Sequence, residues 1–231
     1  MTPTYRSALI VGTGDGLSAS LARQFARDGL AVMLAARNVA KLEKLAAETG
    51  AATFACDASK LGDVAALFRE ADKRGAPDVV CYNASGRVRG PLIELDPQAV
   101  LQSLEVSAFG AFLVAQEAAR RMLPNNHGAI LFTGASAGVK GYPRSAPFAM
   151  GKFALRGLAQ SMARELHPQG IHVAHFVIDG AIRNPGRAEP ADRPDSMLDP
   201  DAIALAYRDV LRQDRSAWSW EVEVRPWVET F

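Results

Sequence analysis

Short apolar runs alternate with amphipathic stretches along the whole chain, the pattern of a parallel sheet with helices on both faces. The runs 7–11, 31–35, 51–55, 79–82, 129–133 and 172–177 are almost continuously apolar, as strands covered on both sides require. Between them Leu17, Leu21 and Phe25 recur every fourth residue, and Val64, Leu67, Phe68 and Ala71 follow the i, i+3, i+4, i+7 rule of a helix face. The longest apolar stripe is Leu101, Leu104, Ala108, Phe112, Ala115, Ala119 and Met122, and Pro124 stops it. A second long helix is predicted over 147–166, with Pro147 in its first turn and His167-Pro168 at its end. In the last run, 217–225, Trp218, Trp220, Val222 and Val224 alternate with Ser219, Glu221, Glu223 and Arg225. That alternation predicts an edge strand with one dry face. The stretch 183–200 carries Pro185, Pro190, Pro194 and Pro200 among charged residues; it reads as a lid over a site, with a disordered crossover as the alternative.

Composition narrows the class. With 231 residues, 48% hydrophobic and 22% charged, the chain can bury one sizeable core, and a single domain over 1–231 is the default. A formal net charge of +1 provides no long-range field to gather nucleic acid or an anionic membrane, so the expected partner is a small-molecule substrate. No apolar run approaches the roughly 18 residues of a bilayer span, and the N-terminal one breaks at Gly12; a soluble, cytoplasmic protein is expected. Cys56 and Cys81 lack C-x-x-C spacing and read as reduced, buried thiols. His172 and His175 are three apart in a predicted strand, face opposite ways and cannot share a metal; no metal site is expected.

The chemistry is read first at the turn Gly12-Thr13-Gly14-Asp15-Gly16-Leu17-Ser18, which joins the first strand to the first helix. Glycines there let the backbone approach a pyrophosphate at a helix N-terminus. Gly12, Gly14, Asp15, Gly16 and Leu17 are therefore candidate cofactor contacts, with a structural tight turn as the alternative. About 20 residues further on, a carboxylate usually holds the adenosine 2′-hydroxyl; here the chain reads Ala35-Ala36-Arg37. A guanidinium suits a 2′-phosphate instead, which favours NADP(H). Otherwise Arg37 is a solvated residue opening the second helix, with Asn38 as its cap.

Over essentially its whole length the chain resembles the short-chain dehydrogenase/reductase family. Gly12, Gly16 and Ser18 fall on that family's T-G-x-x-x-G-x-G turn, with Val11 for Thr and Ser18 for the last Gly. Cys56-Asp57-Ala58 matches its C-D-V segment, which implies that Asp57, with Ala58, meets the adenine. Tyr82-Asn83-Ala84-Ser85 matches N-N-A-G, so Asn83 and Ala84 are further cofactor candidates; helix capping by Asp57 and backbone satisfaction by Asn83 are the alternatives. Ile178-Asp179-Gly180-Ala181-Ile182 matches the P-G segment with Asp179 for Pro, and Ile182 is expected at the nicotinamide. The implied fold is α/β, a single doubly wound parallel sheet (Rossmann-like) of strand order 3-2-1-4-5-6-7. That order separates Cys56 from Cys81 by about 14 Å, too far for a disulfide.

At the reaction centre the pattern departs. The resemblance implies hydride transfer with a tyrosine, four residues before a lysine, as proton donor. This chain reads Phe148-Ala149-Met150-Gly151-Lys152. The family's serine falls on Ala135, with Ser136 one residue late, and its helix asparagine falls on Ser107. Only Lys152 is kept, and it is expected at the nicotinamide ribose. Tyr142 and Ser145, on the preceding loop, are possible substitute donors. The ending Arg225-Pro226-Trp227, together with F-A-x-x-K, resembles a divergent branch of the family.

Three readings of function follow. The first is an NADP(H)-dependent oxidoreductase acting on a small carbonyl, alcohol or activated alkene. The second is an enoyl-thioester reductase, because Gly12-x5-Ser18 resembles that branch's glycine turn; its tyrosine would fall on Ser145, which speaks against it. The third is a non-catalytic NADP(H)-binding sensor or scaffold. Arg87 and Arg89 read as a solvated loop, or as contacts to an anion. A homodimer or homotetramer is expected, with the tryptophans of the last strand in the core and at the subunit contact, which would cover the edge.

Overall fold

The computed structural model describes residues 3–229. In chain order its elements are β1 (Ser7–Val11), α1 (Leu17–Arg27), β2 (Ala31–Ala36), α2 (Glu43–Thr49), β3 (Ala52–Ala55), α3 (Leu61–Asp72), β4 (Val79–Tyr82), α4 (Pro97–Leu104), α5 (Gly110–Met122), β5 (Gly128–Thr133), α6 (Ala146–Leu166), β6 (Ile171–Ile178), β7 (Ala181–Ile182), β8 (Met197–Leu198), α7 (Pro200–Leu211) and β9 (Glu221–Val224). Seven strands form one sheet in the order β3-β2-β1-β4-β5-β6-β9, and every pairing is parallel. The expected α/β architecture and order are present, with β9 as the seventh strand because β7 and β8 form a separate two-residue pair. Crossovers from β1 run outward to β3, and those from β4 run the other way. The carboxyl ends of β1 and β4 therefore flank the crevice where such sheets bind ligands.

Alternation along the strands divides the core into two. Leu9, Val11, Val80, Tyr82, Ile130 and Phe132 face α3, α5 and α6; Ile10, Leu34, Cys81, Leu131, Phe176 and Ile178 face α1, α2 and α7. The helix stripes read at 17–25 and 64–71 are buried as expected. Cys56 and Cys81 are both free and buried, three strands apart in the order and in different halves of the core. Burial pushes the Cys56 thiol up to about 12 and raises Cys81 further.

Four readings need correction. The stripe Leu101–Leu104–Ala108–Phe112–Ala115–Ala119–Met122 is not the buried face, since Leu101 and Phe112 are 48% and 41% exposed. A π-turn at Glu105–Phe109 separates α4 from α5 and rotates the face, so that Ser103, Ser107, Ala111, Val114, Ala118 and Met122 point inward. The helical run Pro97–Asn125 is also long and apolar enough to cross a membrane by length and mean hydropathy, 1.4, contrary to the reading that no such segment exists; its inner face lies in the core.

The last strand spans only Glu221–Val224. Trp220 joins one half of the core and Val222 and Val224 the other, so they do not share a face. Glu221 is not on a wet face either: it bonds Arg156 at 2.6 and 2.8 Å and His175 at 3.0 Å. Trp218 stacks on His172 at 4.4 Å.

Finally, 183–200 is a folded loop, so the disordered-crossover alternative does not hold. Ala181–Ile182 pairs with Met197–Leu198, Arg183 bonds Asp199 at 2.6 Å, Asn184 bridges Arg187, and Glu189 accepts from the Met197 amide at 2.9 Å.

α7 anchors the carboxyl edge from below. The fully buried Tyr207 stacks on Phe176, and its hydroxyl meets Thr133 Oγ1 at 2.8 Å. Tyr207→Phe is expected to lose about 1 kcal/mol and Tyr207→Ala about 3–5 kcal/mol, both read from urea unfolding.

Candidate cofactor and active site

At the end of β1 the chain turns through Gly12, whose φ is +86°. A Cβ there would fall inside the backbone of Ala84, so only glycine lets β1 and the segment after β4 approach so closely. The turn is fixed before any ligand arrives. The amides of Gly12 and Thr13 both donate to the Ala35 carbonyl at 3.0 Å, Thr13 Oγ1 donates to the Ile10 carbonyl at 3.0 Å, and the Asn83 amide donates to the Val11 carbonyl at 2.8 Å. Ser18, in place of the family's last glycine, donates to the Gly12 carbonyl at 3.1 Å and accepts a short bond from Asn83 Nδ2. The Ser18–Asn83 bond was not legible in the sequence; it joins the glycine turn to β4. α1 then starts at Gly16 with no side-chain cap, leaving the donors of its first turn available to an anion. Gly14 and Asp15 are exposed, whereas the Leu17 side chain is core; only the Leu17 backbone faces this role.

Arg37 follows β2 and is exposed, beside an Asn38 that caps the next turn through Ala40 N at 3.1 Å. Its charge reaches Asp57 beyond β3. Burial works to raise the Asp57 carboxyl, but bonds from the Ser59 hydroxyl and amide, with Arg37 and Lys60, outweigh it and hold the group low. Arg37 and Asp57 therefore form one polar corner at the outer end of the crevice. The buried Ala58 presents its carbonyl against Gly110.

The inner end is built on α6. Lys152 is 3% exposed, has no carboxylate partner among the described residues, and donates from Nζ to the Thr133 carbonyl at 2.7 Å. Burial, aided by the charge of Arg87, pulls its ammonium down to about 8. One turn earlier Phe148 lies between two cations, with Lys152 Nζ 5.8 Å and the Arg87 guanidinium carbon 4.9 Å from the ring centre. Arg87 is thus anchored on an aromatic ring, which the solvated-loop reading did not foresee. Ala135 opens a short turn, Ser136–Gly138, whose Gly138 lies against the Lys152 backbone. Ser107 is fully buried, but its hydroxyl is engaged elsewhere: it accepts from the Gly86 amide at 3.0 Å.

The two proposed substitutes for the missing phenol differ. Tyr142 is 40% exposed and its ring meets Lys140 at 5.8 Å. Ser145 is buried at the start of α6, and its hydroxyl has no hydrogen-bond partner among the described residues.

Further departures from the family pattern are matched by partners. Tyr82 sends its hydroxyl to the Val106 carbonyl in the π-turn, in space that a side chain at Gly110 would take. Asp179, 5% exposed, faces Arg225 at 3.4 Å and Lys140 at 3.6 Å. Trp227 donates to Asp195 at 3.2 Å, so the C-terminal segment holds the 183–200 loop. Within that loop Asn184 approaches Gly16, and Ile182 sits half-buried in β7. Among the described residues no group of three His, Cys, Asp or Glu is placed to hold a metal. His172 and His175 turn to opposite faces, toward the Ser219 carbonyl and toward Glu221.

The short chain dehydrogenase family pattern matches residues 6–189. A Euphorbia lathyris protein described as short chain aldehyde dehydrogenase 1 is 31% identical over 173 residues, 72% of this chain and 60% of that protein; the chain thus spans less than two thirds of that relative. A solved short-chain dehydrogenase from Rhodopseudomonas palustris superposes with a TM-score of 0.83 at 36% identity, covering 97% of this chain and 100% of that one. An alcohol dehydrogenase from Thermococcus sibiricus, complexed with 5-hydroxy-NADP, gives a TM-score of 0.85 at 26% identity over 97% and 98% of the two chains.

Lys152 sets a pH signature. Its folded pKa lies below its unfolded value of 10.5, so the unfolded chain binds the extra proton between the two. The cost of burying the charge is complete below about 8 and disappears as the pH approaches 10.5. Relative to Lys152→Met, the coenzyme-free protein should gain stability by at most about 3 kcal/mol across that window. Urea unfolding of both proteins from pH 7 to 10.5 measures it, and a difference that stays flat would mean that Lys152 titrates as in water.

Proposed function

The chain belongs to the short-chain dehydrogenase family, and from that premise we propose that it is an NADP(H)-dependent oxidoreductase in which Lys152, with no tyrosine, is the protonic group at the reaction centre. Its substrate is a small carbonyl, alcohol or activated alkene, and it acts as a cytoplasmic homo-oligomer of the family's F-A-x-x-K branch. When bound, the coenzyme supplies or accepts the hydride.

The residues present fit that coenzyme. The close approach at Gly12 and the uncapped start of α1 provide a cradle for the pyrophosphate along Gly12, Gly14, Asp15, Gly16 and the Leu17 backbone. Arg37 faces the 2′-phosphate, with no acid where NAD-binding sheets carry one. Asp57 and Ala58 border the adenine; Asn83 and Ala84 border the adjoining ribose. Lys152 meets the nicotinamide ribose and Ile182 the carboxamide.

The observation that carries the reading is the Lys152 ammonium, buried on the Thr133 carbonyl without an acid partner. Burying a charge without an opposite partner is expensive, and groups held at that cost cluster at functional sites. At neutral pH it is cationic, yet close enough to its pKa to release a proton. It can stabilise negative charge developing on a substrate oxygen and deliver a proton through a ribose hydroxyl or a water. The free hydroxyl of Ser145 lies one turn from Phe148 and offers a second relay. Loss of a positioned phenol removes about 10²–10⁴ in rate, so carbonyl reduction should be slow. The same absence favours a second reading, a non-catalytic NADP(H) sensor. Turnover abolished by Lys152→Ala supports the enzyme; tight NADPH binding without oxidation of the coenzyme supports the sensor.

The exposed apolar residues Leu101, Phe109, Phe112, Met150 and Phe153 on α4, the π-turn, α5 and α6 are the faces proposed to meet in self-association.

Two experiments test the site. Arg37→Asp should weaken NADPH binding by about 10- to 100-fold with a smaller effect on NADH, as read by coenzyme fluorescence; an unchanged preference would remove Arg37 from the site. Phe148→Tyr should raise reduction of a panel of aldehydes and ketones at least about tenfold, the low end for a restored general acid. No gain with coenzyme still bound would show that position 148 does not face the reacting oxygen.

A further inference from the structure

The corner beside Phe148 gathers more positive charge than the coenzyme site described above uses. The ring has Arg87 on it at 4.9 Å and Lys152 at 5.8 Å. The charges of Arg89 and Arg187 are felt at Arg87, and that of Arg87 at Lys152. Four cations thus converge from three separate segments: the 86–90 loop, α6 and the 183–200 loop. Several arginines elsewhere have acids, as Arg121 with Asp72 at 2.7 Å, Arg156 with Glu221 at 2.6 Å and Arg183 with Asp199 at 2.6 Å, whereas others, Arg37 among them, have no ion pair among the described residues; what marks this corner is that its cations are gathered together. Among the described residues the side chains of Arg87, Arg89 and Arg187 have no hydrogen bond or ion pair.

Arg87 is held in place by the Phe148 ring while all its N–H donors remain without an acceptor in the chain. A ring-anchored guanidinium with free donors is ready for bidentate bonding to an oxyanion, and like charges gathered without acids are complementary to a negative ligand. The coenzyme's own phosphates are provided for at the glycine turn and Arg37; Arg87 lies instead on the reaction-centre side, stacked on Phe148, which is one helical turn from Lys152. Resting on the function proposed above, we infer that the substrate carries an oxyanion group, a carboxylate or a phosphate, which Arg87 binds while the carbonyl or hydroxyl to be reacted lies toward Lys152. Arg89 and Arg187 strengthen the field at the entrance.

The test uses the full chain. Wild type is first titrated with NADPH; no binding sinks the coenzyme reading itself. The NADP⁺-loaded protein is then titrated calorimetrically with charged and neutral pairs: short 2-, 3- and 4-oxo acids against their methyl esters, and dihydroxyacetone phosphate against dihydroxyacetone. At least one charged probe should bind about tenfold tighter than its partner, and which pair shows it separates carboxylate from phosphate. Arg87→Met should erase the preference and Arg87→Lys should restore part of it, with NADPH affinity unchanged in both. Equal binding within every pair, or a preference that survives Arg87→Met, overturns the inference. So does an Arg87→Met protein that loses NADPH as strongly as the charged probe, because the cations would then serve the coenzyme.

Discussion

The site depends on one interaction, the bond from the buried Lys152 ammonium to the Thr133 carbonyl. Thr133 ends β5, and its side chain is held from the opposite layer by Tyr207. α6, on one face of the sheet, and α7, on the other, are therefore tied at a single residue of the carboxyl edge. The lysine is both fixed in place and kept from water, and the dry environment that lowers its pKa also places its charge where a reacting oxygen would need it.

Around that point several side chains are held by specific partners. Tyr82 is accommodated because residue 110 has no side chain and the π-turn leaves a carbonyl, that of Val106, in need of a donor. Ser18 spans Gly12 and Asn83 by hydrogen bonds, tying the glycine turn to the segment after β4. Asp179 has Arg225 opposite it, and the following Pro226 and Trp227 close on the 183–200 loop. Position 148 is a ring that carries two cations, Arg87 and Lys152.

The electrostatic balance of the crevice is therefore uneven. Its outer corner holds Arg37 near Asp57, opposite charges at an exposed edge. Its inner corner holds Lys152 and Arg87 with no acid at all. The buried Lys152 and the ring-stacked Arg87 make this corner cationic.

Read alone, the chain already specified the sheet, because strands covered on both faces must be apolar throughout and the helices between them must show one apolar stripe. It also offered the glycine turn, Arg37 and the F-A-x-x-K segment as candidates, since these depend on local backbone and on residue identity. Periodicity misplaced the α4–α5 face because a π-turn inserts a register shift that no single residue announces. It found the last strand at the sheet edge but misassigned its faces, because Glu221 is drawn inward by Arg156 and His175, partners 65 and 46 residues away. The Ser18–Asn83 bond, the Tyr207–Thr133–Lys152 chain and the stacking of Arg87 on Phe148 were decided only by tertiary structure. Each joins groups far apart along the chain, and such contacts arise from how layers meet, which the order of residues along one element does not encode.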